Sequence, residues 1–249
     1  MDHTFAHKNE EFWNSAAESV FKNEWIHHLQ AQISSFLTGR ADWLAVQPPK
    51  DHDGKTTARL LDYACGNGIV TRSLHPVFSQ CIGVDLAEGM LAQYRATAAE
   101  IGLSEAQARA VQGNLLAPNI EATATSPPLS EEQLSNFDMV AICMALHHVD
   151  DIELATRRLA QRLRPGGVLL IIDWATRDGS ASETTPLQYQ PHPAAHTISH
   201  DSFTQDQILG LFQQAGCGDS RFVLADQLSD VPGALGGKMQ LFFARASKL

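Results

Sequence analysis

The sequence predicts an α/β chain on a doubly wound sheet of seven strands, and three features predict it. Short apolar runs at about 59–64, 81–85, 108–112, 137–143 and 167–173 alternate with helical patterns. Strand alternating with helix yields a parallel sheet with right-handed crossovers. The first run, Leu60-Leu61-Asp62-Tyr63, leads through small residues into Gly66-Asn67-Gly68, and the second closes on Val84-Asp85. Acids and a glycine loop at the carboxyl ends of the leading strands are how such sheets build a nucleoside pocket.

The elements follow in order. Residues 8–38 predict a helix, with Ile26, Leu29, Ile33, Phe36 and Leu37 at helical spacing and Gly39 as its stop. Phe12, Trp13, Phe21 and Trp25 make this opening aromatic, fitting either packing against the sheet or a cap over a pocket. Pro48 to Gly54 reads as a linker. Met90, Tyr94, Ala98 and Ile101 mark one crossover helix, and Ile152, Ala155, Leu159 and Leu163 another. Residues 118–135, rich in Pro, Ser and Thr, predict a surface insertion. Ser202 with Gln205 predicts a capping box opening a helix through Ala215, closed at Gly216. Runs near 221–225 and 238–246 supply the last two strands. The 249 residues suit one domain: cap and linker over 1–50, core over 58–173, and a lid loop over 174–200.

The glycine loop carries the chemistry. Glycines let the backbone turn sharply and approach a ligand closely, and Asp85 is placed to accept hydrogen bonds from a ribose diol. A dinucleotide loop requires G-x-G-x-x-G, but here Thr71 takes the third position and Asp62 precedes the loop. Asp62 would repel a diphosphate and suit a cationic ligand. S-adenosylmethionine, with a sulfonium, an α-ammonium and no phosphate, is such a ligand.

Four segments, in order and spacing, resemble class I S-adenosylmethionine-dependent methyltransferases of the small-molecule type, such as those of ubiquinone and menaquinone biosynthesis. They are Asp62-Tyr-Ala-Cys-Gly-Asn-Gly68, Gly83-Val-Asp-Leu-Ala-Glu-Gly-Met90, Phe137 to Val149, and Leu163 to Asp173. The likeness covers roughly residues 58–173 closely. It implies a Rossmann-like sheet whose final strand inserts antiparallel beside strand five. It implies S-adenosyl-L-methionine held by Asp62, Ala64, Gly66 and Gly68 on the methionine side, Asp85 at the ribose, and Leu86, Met90, Asn114, Leu115 and Cys143 around the remainder. Two positions depart from the pattern: Ala64 stands where the family has glycine, and Asn114 where an acid contacts the adenine amine. The resemblance also implies transfer of a methyl group to a small organic molecule, with a hydroxyl oxygen favoured over nitrogen, sulfur or carbon. A protein that binds the donor without transferring methyl is the rival reading.

His147 and His148 follow the fourth strand, where the methyl should point, and a histidine near neutrality suits proton removal. His148 is the first candidate base and His147 the second; the pair is equally readable as pocket lining or a brace. The lid region holds Tyr189, His192, His196 and His200, of which His196 and His200 are further candidate bases. The four-residue spacing of the last three histidines suits zinc only on a helix, and Pro191, Pro193 and Thr197-Ile198 argue against one, so no metal is expected.

The formal charge of -10 argues against nucleic acid, which is bound by neutralising phosphates. No stretch approaches the ~20 apolar residues of a membrane span. Four scattered cysteines without a C-x-x-C read as reduced, buried thiols. Ser247-Lys248-Leu249 resembles a peroxisomal address read by an import receptor, with the cytoplasm as the alternative location.

Overall fold

The computed structural model describes residues 4–47, 49–117, 129–176, 194–233 and 237–249. Helices α1 (Thr4–Val20), α2 (Glu24–Gly39) and α3 (Ala41–Leu44) precede the alternating core. The core runs β1 (Arg59–Tyr63), α4 (Ile69–Leu74), β2 (Gln80–Asp85), α5 (Glu88–Glu100), β3 (Ala108–Gln112), β4 (Phe137–Cys143), α6 (Ile152–Gln161) and β5 (Leu163–Ala175). Then come α7 (Gln205–Gln214), β6 (Cys217–Asp230) and β7 (Lys238–Lys248). The seven strands lie in the order β3-β2-β1-β4-β5-β7-β6. Strands β1 to β5 pair in parallel, whereas β7 runs antiparallel to both β5 and β6. The expected Rossmann-like sheet with an antiparallel last strand is therefore present.

Strand alternation gives the sheet two apolar faces. On one face, Leu60, Met139, Ala141, Leu170 and Ile172 pack with Leu29, Ile33 and Leu37 of α2 and with Val70 and Leu74 of α4. On the other, Leu61, Val140, Ile142, Leu169 and Ile171 pack with Ala155 and Leu159 of α6 and with Ile208, Leu211 and Phe212 of α7. Burial on both faces explains why β4 and β5 read as unbroken apolar runs. At the β1–β2 end, the ring of Tyr94 from α5 lies against two glycines. A Cβ at Gly83 would stand 2.5 Å from Tyr94 Cε2, and one at Gly68 2.8 Å from its Cδ2.

Three boundaries differ from expectation. Residues 8–38 form two helices, broken at Phe21-Lys22-Asn23. Asn23 Nδ2 donates to the carbonyls of Ser19 (3.2 Å) and Val20 (2.8 Å), closing α1, while its extended backbone opens α2. The capping box before α7 is Thr204 with Gln207, two residues beyond the predicted pair. Strand β5 runs on through Trp174 and Ala175, which shortens the predicted lid at its start. Much of the predicted insertion, over 118–128, and of the lid, over 177–193, lies outside the described residues. Ser247 and Lys248 are the last rungs of β7, facing Gly218 and Cys217. Among the described residues no helix is long and apolar enough to cross a membrane.

Candidate functional site

A cavity of about 570 Å³ opens where β1, β2 and β4 end, roofed by α1 and α2. The β1–α4 loop forms its floor. Gly66 has a φ of +52° and Gly68 of +78°, a left-handed backbone that glycine adopts without strain. Ala64 takes φ +52° without that freedom. A Cβ at Gly66 would stand 3.6 Å from Phe21 Cζ, in ordinary contact across the cleft. The loop is tied to α2 by Gln30 Nε2, which donates to Asn67 Oδ1 at 2.9 Å.

Asp85 ends β2 and borders the cavity. Its carboxylate accepts from Gly66 N at 2.9 Å and Ala87 N at 3.0 Å. Burial raises its pKa, and these N–H groups oppose the rise. Each oxygen keeps a second lone pair, so the acid can hold the loop and a ribose hydroxyl together. Leu86, Met90, Ala64, Gly66, Asn114 and Cys143 also line the cavity. A nucleoside with an amino-acid tail and no phosphate fits this lining: the loop amides offer close backbone approach, Asp85 a diol contact, and Leu86 and Met90 an apolar bed.

Several expected contacts are relocated. Asp62 is 1% exposed, and its Oδ2 accepts from Thr71 N (3.1 Å) and Thr71 Oγ1 (2.8 Å), away from the cavity. Burial pushes its pKa up to about 7, the Thr71 hydrogen bonds pull it down, and the charge of Asp85 adds to the rise. Asp62 therefore fixes the start of α4 from beneath the loop and lines no part of the cavity. Thr71, read only as a missing glycine, is its partner. Gly68 and Leu115 also lie behind the lining. The Asn114 oxygen expected at the adenine amine already accepts from Tyr63 OH (3.2 Å) and Leu116 N (2.9 Å).

The four histidines separate. His148 borders the cavity. Its Nδ1 lies 2.7 Å from the Thr197 carbonyl, so the proton sits on Nδ1 and Nε2 is the basic nitrogen. The Trp13 ring of α1 meets His148 edge-on, with centroids 5.3 Å apart. His147 is turned into the core: its Nδ1 lies 2.7 Å from Asp173 Oδ1, and its backbone N donates to Asp173 Oδ2 at 3.2 Å. The His147 carbonyl accepts from Ser199 N and His200 N. His147 thus ties β5 to residues 199–200 and lies outside the cavity lining. His196 faces Phe12 of α1 in a separate shallow cleft. His200 lies outside the cavity lining, beside Phe203. Tyr189 and His192 fall outside the described residues, among which no cluster of three metal-binding side chains occurs.

Trp13 and Phe21, read from the sequence as sheet packing or a cap over a pocket, line the roof, and sequence reasoning missed Asn9 and Phe5, which α1 brings there with them. Their spacing at 5, 9 and 13 is one helical face, but nothing local says what that face covers.

The profile of a methyltransferase domain matches residues 25–219. An uncharacterized methyltransferase of Schizosaccharomyces pombe is 27% identical over 68% of this chain and 56% of its own length. A demethylmenaquinone methyltransferase of Mycolicibacterium paratuberculosis is 26% identical over 69% and 65%. The chain thus spans between half and two thirds of these relatives. A magnesium protoporphyrin IX methyltransferase of Synechocystis, solved with S-adenosylhomocysteine, superposes over 100% of both chains with a TM-score of 0.63 at 13% identity, a likeness of fold.

Proposed function

This chain belongs to the methyltransferase-domain family, and from that premise we propose that it moves a methyl group from S-adenosyl-L-methionine to a hydroxyl oxygen of a small, largely apolar molecule. The bound donor supplies an electrophilic methyl on a sulfonium, with a neutral thioether as leaving group. Gly66 and its neighbours hold the donor's tail, Asp85 its ribose, and Leu86 and Met90 flank its base. Such a displacement needs alignment above all, which is worth roughly 7–11 kcal/mol when reactants are well oriented.

A hydroxyl acceptor also needs a base. The observation that supports oxygen chemistry is His148, at the cavity with its Nδ1 proton held by the Thr197 carbonyl. That hydrogen bond puts the ring proton on Nδ1 and makes Nε2 the nitrogen that takes a hydroxyl proton. Apolar Phe5, Trp13, Leu29, Ile33 and Met144 line the same cavity, with the Trp13 ring against His148. The described lining carries Asp85, Asp150 and Asp151 and neither Lys nor Arg, which disfavours an anionic acceptor.

The test is release of S-adenosylhomocysteine against a panel of phenols, alcohols and amines. His148→Ala should lower turnover on the best hydroxyl acceptor about 10²–10⁴-fold with S-adenosylhomocysteine affinity unchanged. Near-normal turnover in the variant would remove the oxygen assignment. Absence of any turnover in the wild type, despite donor binding, would favour a protein that binds the donor without transferring methyl.

A further inference from the structure

Asn9 is a polar residue on a face of α1 whose other cavity-lining side chains, Phe5, Ala6, Trp13 and Val20, are apolar. It is 6% exposed, one turn before Trp13 on α1, and it borders the cavity with Phe5, Ala6 and Trp13. Its Nδ2 donates to the Phe5 carbonyl at 3.2 Å, which fixes the orientation of the amide. Its Oδ1 is buried and has no hydrogen-bond partner among the described residues. Buried amide oxygens are nearly always paired, so an unpaired one on a residue that borders a cavity calls for a partner from outside the chain.

Position along α1 decides which ligand. Ala17 packs with Ala87 and Met90, beside Asp85 and Leu86, so this stretch of α1 faces the ribose end of the donor site. Phe21, just past the helix, meets Gly66. Asn9 is eight residues upstream of Ala17, roughly 12 Å along the helix at 1.5 Å per residue. It lies beyond Trp13, whose ring touches His148. The unpaired oxygen is therefore on the side of the candidate base, away from the donor contacts.

We propose that Asn9 is a specificity-determining residue whose Oδ1 accepts a hydrogen bond from a second hydroxyl or N–H of the acceptor molecule. The acceptor class is then an apolar ring system with two donor groups, one deprotonated by His148 and methylated, the other held by Asn9. This rests on the reading of the cavity as a methyl-transfer site. An acceptor lacking the second donor leaves Oδ1 unpaired in a dry site, and loss of such a bond is the kind of contact that discriminates strongly between near-isosteres.

The experiment compares naphthalene-2,6-diol with 6-methyl-2-naphthol, which match in shape and differ in the second donor. Binding of each to protein saturated with S-adenosylhomocysteine is measured calorimetrically for wild type and Asn9→Leu. Wild type should prefer the diol about tenfold, and Asn9→Leu should bind both about equally with unchanged S-adenosylhomocysteine affinity. The ligand-free variant should also melt above wild type, since it removes an unpaired buried oxygen. No preference in the wild type, a preference surviving in Asn9→Leu, or weakened S-adenosylhomocysteine binding in the variant overturns the proposal. Wild type that fails to bind S-adenosylhomocysteine overturns the functional reading itself, a separate outcome.

Discussion

The floor of the cavity and its roof satisfy their polar groups in different ways. On the floor, Asp85 is held by two backbone N–H groups, Asp62 by Thr71, and the Asn114 oxygen by Tyr63 and Leu116. Across from it, Asn9 Oδ1 on α1 is a buried side-chain atom without a partner among the described residues. A floor that is internally complete is preorganised for one ligand, whereas a roof with an open valence takes its specificity from what arrives. The contrast separates a common donor from an acceptor that varies between relatives.

Four perturbations test this contrast. The largest is in pH. Asp62 titrates near 7 in the fold against 3.8 for an ordinary aspartate, so between about pH 4 and 7 the folded state holds a proton that the unfolded chain has lost. Stability should therefore fall as pH rises through that window, by up to about 4 kcal/mol, and level off above about 7. Asp62→Asn keeps an oxygen for Thr71 and should flatten that slope in urea titrations. An unchanged slope would mean that Asp62 does not take up its proton in that window.

Next is Asp85→Ala, which removes the acceptor for Gly66 N and Ala87 N together with the ribose contact. S-adenosylhomocysteine affinity should drop roughly 100-fold, near 3 kcal/mol, whereas Asn9→Leu should leave it intact. Equal losses from both variants would erase the distinction between floor and roof.

Third, Asp173→Asn keeps an oxygen for His147 Nδ1 but sets an amide donor against the His147 backbone N–H, at a side chain that is 0% exposed. Stability should fall about 2 kcal/mol, and turnover should fall while donor affinity holds, because the brace orients residues 197–200 and through them His148. The smallest effect belongs to Ala64→Gly. Relieving a left-handed alanine, less the entropy regained by the unfolded chain, should stabilise by about 0.5 kcal/mol and move the melting point only slightly.

Legibility in the sequence followed the same divide. The floor is local: Leu60 to Gly68 and Gly83 to Met90 each carry their own turn, so the strand tips and Asp85 could be read directly. Asp62 misled because a residue at a strand end can face either side of the loop, and only the approach of Thr71 decides which. The roof depends on contacts distant in sequence, Trp13 with His148 and Phe12 with His196, which no local pattern encodes. The His147-His148 pair was ambiguous for a related reason. Adjacent side chains diverge, and the choice between core and cavity is made by Asp173, 26 residues away. The helix break at Asn23 had a local signal in an asparagine followed by glutamate, obscured by apolar periodicity on both sides.

The Tyr94 ring wedged over Gly83 and Gly68 has an evolutionary corollary. Side-chain volume at three positions, one in a strand, one in a loop and one in a helix, is a single shared allowance, since an added methyl at either glycine needs a smaller aromatic neighbour. Homologues should exchange bulk among these sites in compensating pairs, and a homologue that enlarges one alone should have shifted its helix off the sheet.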